Sequence, residues 1–293
     1  MYYIVFGFLY LLSLLPLSIL YILSNGIYFL IYYVIGYRKE VVMGNLAIAF
    51  PDKTAEDRKK IAKEFYRNLV DNFIETIKLI SASRQEINKR FTGNWEVVNQ
   101  LKASGKNCQL HLGHNFNWEL ANAAAALNFN YTFSVVYMPV TNKVFDRLML
   151  YIRARTGSLL LPATNMKKYF RTLKENQHIL TLVADQNPGN PSNSWWISFM
   201  NKPAPFVKGP AKGAISNNTN VIFADIQKIK RGYYKVVFSV ACTDTSHTTE
   251  QELTKKFVRF LEQTITKNPS LWLWSHRRWK WDWKQEFGDL WIE

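Results

Sequence analysis

The chain opens on a long apolar segment. Residues 1–37 contain no Asp, Glu, Lys, Arg or His, and the first charged side chain is Arg38. Residues 2–23 alone are long enough to cross a hydrocarbon layer about 30 Å thick, with a kink expected at Pro16. After Ser-Asn-Gly, a second apolar piece at 27–35 is too short to span alone. It suits an interfacial helix or the lower end of one tilted span.

We expect residues 1–37 to be a membrane anchor, formed as one span or a re-entrant hairpin, followed by a catalytic domain at 38–293. A cleaved signal peptide is disfavoured because no basic residue precedes the apolar run, which also exceeds the usual signal length. A buried core hairpin is the remaining alternative. Basic residues at 38–39 and 58–63 place the C-terminal side in the cytoplasm by the positive-inside rule.

A change in periodicity after the anchor predicts an amphipathic helix within residues 51–81. Thr54 is its expected N-cap, and Asp57 stands three positions later. Apolar residues then recur every four positions, which places them on one face of the helix. They are Ile61, Phe65, Leu69, Phe73 and Ile77.

From residue 107 onward, apolar runs alternate with helical patterns, which predicts an α/β domain. A hairpin around residues 230–232 indicates a mixed sheet flanked by helices. The expected strands are 108–112, 131–138, 179–184, 221–226 and 233–240, and the expected helices lie near 117–127, 142–156, 165–176 and 208–217.

The strongly basic composition indicates acidic partners. Lys plus Arg is 37 and Asp plus Glu is 22, so the formal charge is 37 − 22 = +15. Anionic lipids, phosphorylated sugars, an acidic carrier protein and nucleic acid all fit such a charge. Nucleic acid is disfavoured because the chain has an anchor and lacks a zinc-finger or RNP-like motif. Two distant cysteines, Cys108 and Cys242, indicate reduced thiols, and no metal site is expected.

The residues His111 to Glu119 carry the candidate chemistry. His114 follows a predicted strand and precedes Glu119 by five positions, at the start of an Ala-rich helix. A neutral imidazole can take the proton of an attacking hydroxyl, while a carboxylate fixes its tautomer and stabilises the imidazolium. The alternative is a histidine that merely solvates the loop, with a glutamate favoured by the helix dipole.

Three more motifs extend this pattern along the chain. The motifs are Tyr137-Met138-Pro139 with the later Arg153-Ala154-Arg155-Thr156-Gly157, the stretch Val183-Ala184-Asp185-Gln186-Asn187-Pro188-Gly189, and Leu273-Trp274-Ser275-His276-Arg277-Arg278-Trp279-Lys280. Together with the His114–Glu119 motif and Arg38, Asn45, Leu46, Phe50 and Pro51 behind the anchor, they resemble the lipid A secondary acyltransferase family, the lauroyl and myristoyl transferases of Gram-negative envelopes. The resemblance runs from the anchor to the final tryptophans.

This resemblance implies a glycerolipid acyltransferase-like fold and an inner-membrane enzyme that faces the cytoplasm. The enzyme would move a fatty acyl chain from a thioester, on acyl carrier protein or CoA, to a hydroxyl of a phosphorylated glucosamine lipid, without metal or cofactor. His114 and Glu119 would be the acid/base pair. Four further positions would match functional residues of the family: Arg153, Asp185, Arg277 and Arg278.

A fatty acyl chain must be sheltered from water, so an apolar groove is expected beside His114. Phe116 and Trp118 are its expected walls, together with the helix at 117–127 and the helix near the anchor. The C-terminal tryptophans are expected at the lipid head-group boundary. Because the family often has Arg where this chain has Met138, the acceptor could differ.

Two alternatives to this function stay open. One is an acyltransferase of the same superfamily with another acceptor, such as an amino-acid lipid, a phosphatidylinositol mannoside or a pigment alcohol. The other is a non-catalytic, membrane-tethered lipid-binding protein. The second is favoured if His114 lies more than about 6 Å from Glu119 and neither residue faces an apolar groove.

Overall fold

A computed structural model describes residues 1–166, 173 and 176–293. The expected helix at 165–176 falls mostly outside these residues. The helices are α1 Tyr2–Leu14, α2 Leu17–Phe29, α3 Lys39–Ala49, α4 Ala55–Lys78, α5 Arg84–Arg90, α6 Trp95–Gln100, α7 Trp118–Asn128, α8 Lys143–Ala154, α9 Gly209–Ser216 and α10 Glu250–Lys267. The strands are β1 Phe91–Gly93, β2 Cys108–Leu112, β3 Thr132–Tyr137, β4 Leu159–Pro162, β5 His178–Val183, β6 Ser194–Phe199, β7 Lys202–Val207, β8 Asn220–Lys230 and β9 Tyr233–Cys242.

Within the described part of the chain, seven strands form one mixed sheet in the order β1-β9-β8-β2-β5-β3-β4. Only β8 and β9 pair antiparallel in this sheet, as the predicted hairpin, and the other described pairs are parallel. This confirms the predicted mixed α/β fold. A separate antiparallel ribbon of β6 and β7 was not predicted.

Helices cover both faces of the sheet, and residue alternation sorts the side chains between two cores. On β8, Val221 and Phe223 join the core that contains α10 residues such as Leu261. Ile222, between them, joins the other core with α7 residues such as Ala123. Because β2 lies in the middle of the sheet, all of its residues are buried. Central strands therefore read as continuous apolar runs in the sequence.

Helix α4 confirms the predicted N-terminus. The Thr54 side chain accepts a hydrogen bond from the backbone N–H of Asp57 at 3.1 Å. The buried face also carries two carboxylates that sequence periodicity did not reveal, Asp71 and Glu75. Arg231 binds Asp71 with two hydrogen bonds of 2.6 and 2.8 Å, so this buried charge is paired.

The anchor breaks at Pro16, where a kink was expected, and not at the polar residues 24–26. Helix α1 ends at Leu14, and Pro16 precedes α2, because proline disfavours helical conformation at the residue before it. The polar residues at 24–26 do not interrupt the second helix. Instead, Ser24 donates to Asp71 at 2.6 Å and Asn25 accepts from Arg231 at 3.0 Å. They attach the anchor to the body.

Residues Leu17–Ile35 form one helix that is long and apolar enough to cross a membrane, with a π-helical last segment at Leu30–Ile35. Helix α1 is shorter and packs partly on the body, where the rings of Phe6 and Tyr151 meet edge to face at 5.0 Å. Apolar side chains along both helices remain exposed, which is typical of a lipid-contacting surface. They include Ile4, Phe8, Leu11, Ile22, Phe29, Val34 and Ile35.

The C-terminal tryptophans divide into two groups. Trp272, Trp274 and Trp279 are buried, so the expectation of a head-group position is wrong for them. Trp272 and Trp274 meet edge to face at 4.7 Å and close the core beside α4 and α10. The tryptophans at 281, 283 and 291 keep partial exposure.

A buried histidine in β2 predicts an acid-labile fold. Burial lowers the pKa of His111 from 6.5 to about 4. Below pH 6.5 this histidine binds a proton in the unfolded chain, whereas in the folded protein it stays neutral down to about pH 4. The free energy of unfolding should therefore fall as the pH decreases from 6.5 to about 4. His276, whose pKa burial also lowers to about 4, acts in the same direction.

Chemical denaturation across this pH range measures the effect. The His111→Phe variant should show a shallower decline, by about one proton in the slope. An unchanged slope in that variant would contradict a neutral, buried His111.

Candidate active site

The site lies where two adjacent parallel strands end. β2 ends at Leu112 and β5 ends at Val183, and these two residues are register partners. His114 and Asp185 each follow two residues later, so the strand pairing brings them together. Gly113 allows the close approach, since a Cβ there would lie 2.6 Å from Leu261 Cδ1 and 3.2 Å from Asp185 Oδ2.

Asp185 holds the imidazole of His114. Its Oδ1 is 2.5 Å from His114 Nδ1, and its Oδ2 accepts from the His114 backbone N–H at 2.8 Å and from Trp272 Nε1 at 2.7 Å. Burial raises the pKa of Asp185, but the charge and hydrogen bonds of His114, together with Trp272, outweigh it and leave that pKa below its ordinary value. An ionised carboxylate only accepts, so Nδ1 carries the proton and Nε2 is the basic nitrogen.

The loop that carries His114 is fastened at both ends. Asn115 forms a β-bridge with Trp272, and the Phe116 N–H donates to the Leu271 carbonyl at 2.9 Å. Asn117 caps α7 by accepting from the Leu120 N–H at 3.0 Å, while its Nδ2 donates to Glu75 on α4 at 2.8 Å. The imidazole is therefore presented by a preorganised backbone.

Glu119 does not occupy the position expected for it. Its carboxylate pairs with Arg153 on α8, through bonds of 2.9 and 3.1 Å from Nε and 2.5 Å from Nη2. Burial lowers the pKa of Arg153, but Glu119 outweighs this and raises it above the ordinary value. Asp185, rather than Glu119, is the carboxylate on His114 Nδ1. Arg153 is not a free surface charge, because its side chain is largely buried against this carboxylate.

An apolar cavity of about 420 Å³ begins at these residues and lies between α7 and one face of the sheet. His114, Glu119 and Arg153 all line it, so the condition that would favour a non-catalytic binding protein is not met. Exposed Met138 and Val140 mark its mouth. The far wall is mostly aromatic, formed by the buried Phe91, Ile226, Val236 and Phe238 together with the partly buried Trp95.

The cavity extends sideways across the sheet. β2 and β1 are separated by three strand spacings, a distance of roughly 14 Å. Its volume falls in the range of small-molecule sites, and its lining is the apolar kind that shelters a hydrocarbon chain.

Of the two predicted aromatic walls, one lines the cavity. Trp118 contacts it, and its ring meets the His114 ring edge to face at 5.6 Å. Phe116 is fully buried, with its ring stacked on Phe65 at 5.8 Å, so it belongs to the interior and not to the groove. The expectation that Phe116 lines the groove is wrong because the loop turns its ring toward Phe65 on α4.

The C-terminal basic motif supports the loop after Asp185. Arg278 is fully buried, donates to the Pro205 carbonyl at 2.9 Å and to Asn187 Oδ1 at 3.2 Å, and lies over the Phe206 ring. It cannot meet a substrate. Arg277 is exposed, and its carbonyl accepts from Asn187.

Sequence reasoning missed two residues of the site. Trp272 donates to Asp185, and Gln186 lines the cavity directly after it. Gln186 stands in the Asp-Gln-Asn-Pro-Gly motif and could have been found as its second polar position. Trp272 carried no local signal, because its role depends on the C-terminal segment returning to the ends of β2 and β5.

Comparison with known proteins agrees with this arrangement. The family model described as bacterial lipid A biosynthesis acyltransferase matches residues 1–281. A lipid A biosynthesis acyltransferase of Haemophilus influenzae is 24% identical over 246 residues, covering 83% of this chain and 78% of that protein. The lipid A biosynthesis lauroyltransferase of Escherichia coli K12 is 23% identical over 280 residues, covering 94% of this chain and 89% of that protein.

A third relative is named for a different acyl chain. The lipid A biosynthesis palmitoleoyltransferase of Escherichia coli K12 is 22% identical, covering 83% of this chain and 79% of that protein. Since the family model extends over nearly the whole sequence, this chain belongs to the bacterial lipid A biosynthesis acyltransferase family and is an acyl-transferring enzyme.

Proposed function

We propose that this enzyme moves a fatty acyl chain from a thioester, on acyl carrier protein or CoA, to a hydroxyl of a lipid A precursor. The observation that carries the proposal is the His114–Asp185 pair at the opening of a 420 Å³ apolar cavity. A base beside an apolar cavity supplies the two things that acyl transfer needs, proton removal and shelter for the chain.

His114 Nε2 takes the proton of the acceptor hydroxyl as its oxygen attacks the thioester carbonyl carbon. Asp185 stabilises the resulting imidazolium through Nδ1. The tetrahedral oxyanion collapses, the C–S bond breaks, and the thiolate leaves and takes up the proton from His114. The products are the ester and the free thiol.

Arg153 is a cation in the same cavity wall. Glu119 holds one edge of its guanidinium, which fixes the direction of this positive charge. We assign Arg153 to an anionic group of the bound substrates and Glu119 to positioning it. Arg277, which is exposed, remains a candidate for a phosphate contact outside the cavity.

The anchor and the charge fit a reaction at the inner face of the cytoplasmic membrane. A net charge of +15 attracts both an acidic carrier and anionic lipids. An anchored domain reduces the search between a soluble donor and a membrane-held acceptor, and that positioning lowers the barrier. The catalytic domain, residues 38–293, would face the cytoplasm.

Purified protein tests the proposal with acyl carrier protein and CoA thioesters and a lipid A precursor in mixed micelles. We expect ester formation with release of free thiol. Mass spectrometry of lipids from cells lacking and overexpressing the chain tests the acceptor. If lipid A species do not change and another lipid gains an acyl group, lipid A precursor is not the acceptor. That result would agree with the departure at Met138, where the family often has Arg.

The two ion pairs predict a specific pattern of mutant rates. His114→Ala should lower the transfer rate by about 10²–10⁴-fold, and Asp185→Asn should act in the same direction. Combining the two should cost little more than His114→Ala alone, because both act through one imidazole. Glu119→Ala and Arg153→Ala should likewise be non-additive with each other.

Crossed combinations provide the control. Asp185→Asn with Arg153→Ala should give a nearly additive loss, since these residues belong to different pairs. Thermal unfolding of each variant shows whether a lower transfer rate comes from a folded protein or from loss of the folded state. Strong coupling of His114 to Glu119, without coupling to Asp185, would refute this assignment.

The closed end of the cavity should set donor chain length. Val236 lines that end, so Val236→Phe should shift preference toward shorter donors while transfer of short chains continues. Val237 is the next residue on β9 and does not line the cavity, which makes Val237→Phe a matched control. Competition among donors of graded length is the measurement. An equal loss for all lengths in Val236→Phe would place the chain elsewhere.

A further inference from the structure

A second cavity, of about 580 Å³, lies between the end of the membrane helix and the catalytic domain. It shares two wall residues with the catalytic cavity, Trp118 and Gln186. The ring of Trp118 also faces His114, so it stands between the second cavity and the base. Its other walls include Ile31, Ile35, Arg38, Leu69, Phe73 and His276.

One side of this cavity is apolar and open toward the lipid. Ile31 and Ile35 come from the last turns of the candidate span, and Leu69 and Phe73 come from α4. Ile35 is 68% exposed and Phe73 is 52% exposed. A hydrocarbon chain in the bilayer can therefore reach this wall without crossing water.

The other side of this cavity carries a positive charge, from Arg38. Arg38 is the first charged residue after the span, and its Nη1 donates to the Ser275 carbonyl at 2.9 Å. His276 accepts from the Asn187 N–H at 3.1 Å through Nε2, so it is neutral in this arrangement. No acidic side chain lines the cavity among the described residues. The pattern is an apolar wall that ends at a cation beside the membrane surface.

We propose that this cavity binds the acceptor, a lipid with an anionic head group. Its acyl chains lie along Ile31, Ile35 and Phe73, its phosphate meets Arg38, and its hydroxyl reaches His114 past Trp118 and Gln186. The inference rests on the proposed function. The donor chain then lies in the 420 Å³ cavity and the acceptor chains lie in the second cavity, so the two substrates do not compete for the same space.

Neighbouring residues of the span provide a matched test. Ile35 lines the cavity, whereas Val34 is equally exposed, at 65%, and does not. In nanodiscs, Ile35→Asp should raise the KM for the acceptor by about tenfold or more, because a carboxylate would enter an apolar wall. The KM for the donor should change little. Val34→Asp, with the same charge in the same helical turn, should retain the acceptor KM.

Arg38 is tested by changing the substrate as well as the protein. Arg38→Gln should raise the KM for a phosphorylated acceptor and leave the KM for its dephosphorylated counterpart unchanged. A merely structural loss at the Ser275 contact would raise both. Equal losses with the two acceptors would therefore overturn the phosphate contact.

The outcomes separate this inference from the proposed function. Absence of ester formation by the wild-type protein refutes the function itself. Intact transfer with the same acceptor KM in Ile35→Asp and Val34→Asp refutes only the acceptor cavity. Equal increases in both variants also refute it, since they would report on the membrane attachment and not on the cavity wall.

Discussion

The site depends on satisfying one buried carboxylate. Asp185 is 1% exposed and accepts three hydrogen bonds, from the ring and backbone of His114 and from Trp272. A buried charge without partners would cost far more than the folded state can tolerate, so all three donors must converge on it. This requirement joins the ends of β2 and β5 to the C-terminal segment. It also explains the glycine at position 113, where a side chain would separate the partners.

A second buried carboxylate connects the anchor with the same region. Glu75 on α4 accepts from Tyr21 of α2 at 2.8 Å, from Asn117 at 2.8 Å and from Tyr234 of β9 at 2.8 Å. Asn117 is also the N-cap of α7, which carries Trp118 and Glu119. The orientation of the span and the start of the active-site helix are therefore set by one side chain. Such a fixed relation would serve the proposed transfer to a lipid acceptor, because it sets the position of the candidate span relative to the active-site helix.

Much of this architecture could be predicted from the sequence because it follows from local patterns. Central strands such as β2 and β5 appear as apolar runs, and the Thr54 cap and the β8–β9 hairpin have local signals. The short edge strands β1 and β4 were missed because three or four residues carry little periodicity. Tertiary contacts that join distant residues were beyond such reasoning, as were the uses of Ser24 and Asn25 in docking the anchor.

In the candidate site too, the sequence predicted what depends on local patterns and missed what depends on tertiary contacts. The sequence identified His114, Asp185, Glu119 and Arg153 but paired His114 with Glu119, which is near it in the chain. The strand order places β5 beside β2, and this places Asp185 on the imidazole instead. The solvent exposure of a side chain could not be predicted from its local sequence either. Phe116 and Arg278 were expected to contact the substrate, but both are buried in the interior.

The most direct test of this account is the tautomer of His114, read from nitrogen-15 NMR of histidine-labelled protein in micelles at mildly alkaline pH. The His114→Ala spectrum assigns the signal. We expect the wild-type imidazole to carry its proton on Nδ1. The preference for this tautomer should disappear in Asp185→Asn and remain in Glu119→Gln. A proton on Nε2 in the wild-type protein, or a tautomer that responds to Glu119 and not to Asp185, would contradict the assignment of His114 as a base oriented by Asp185.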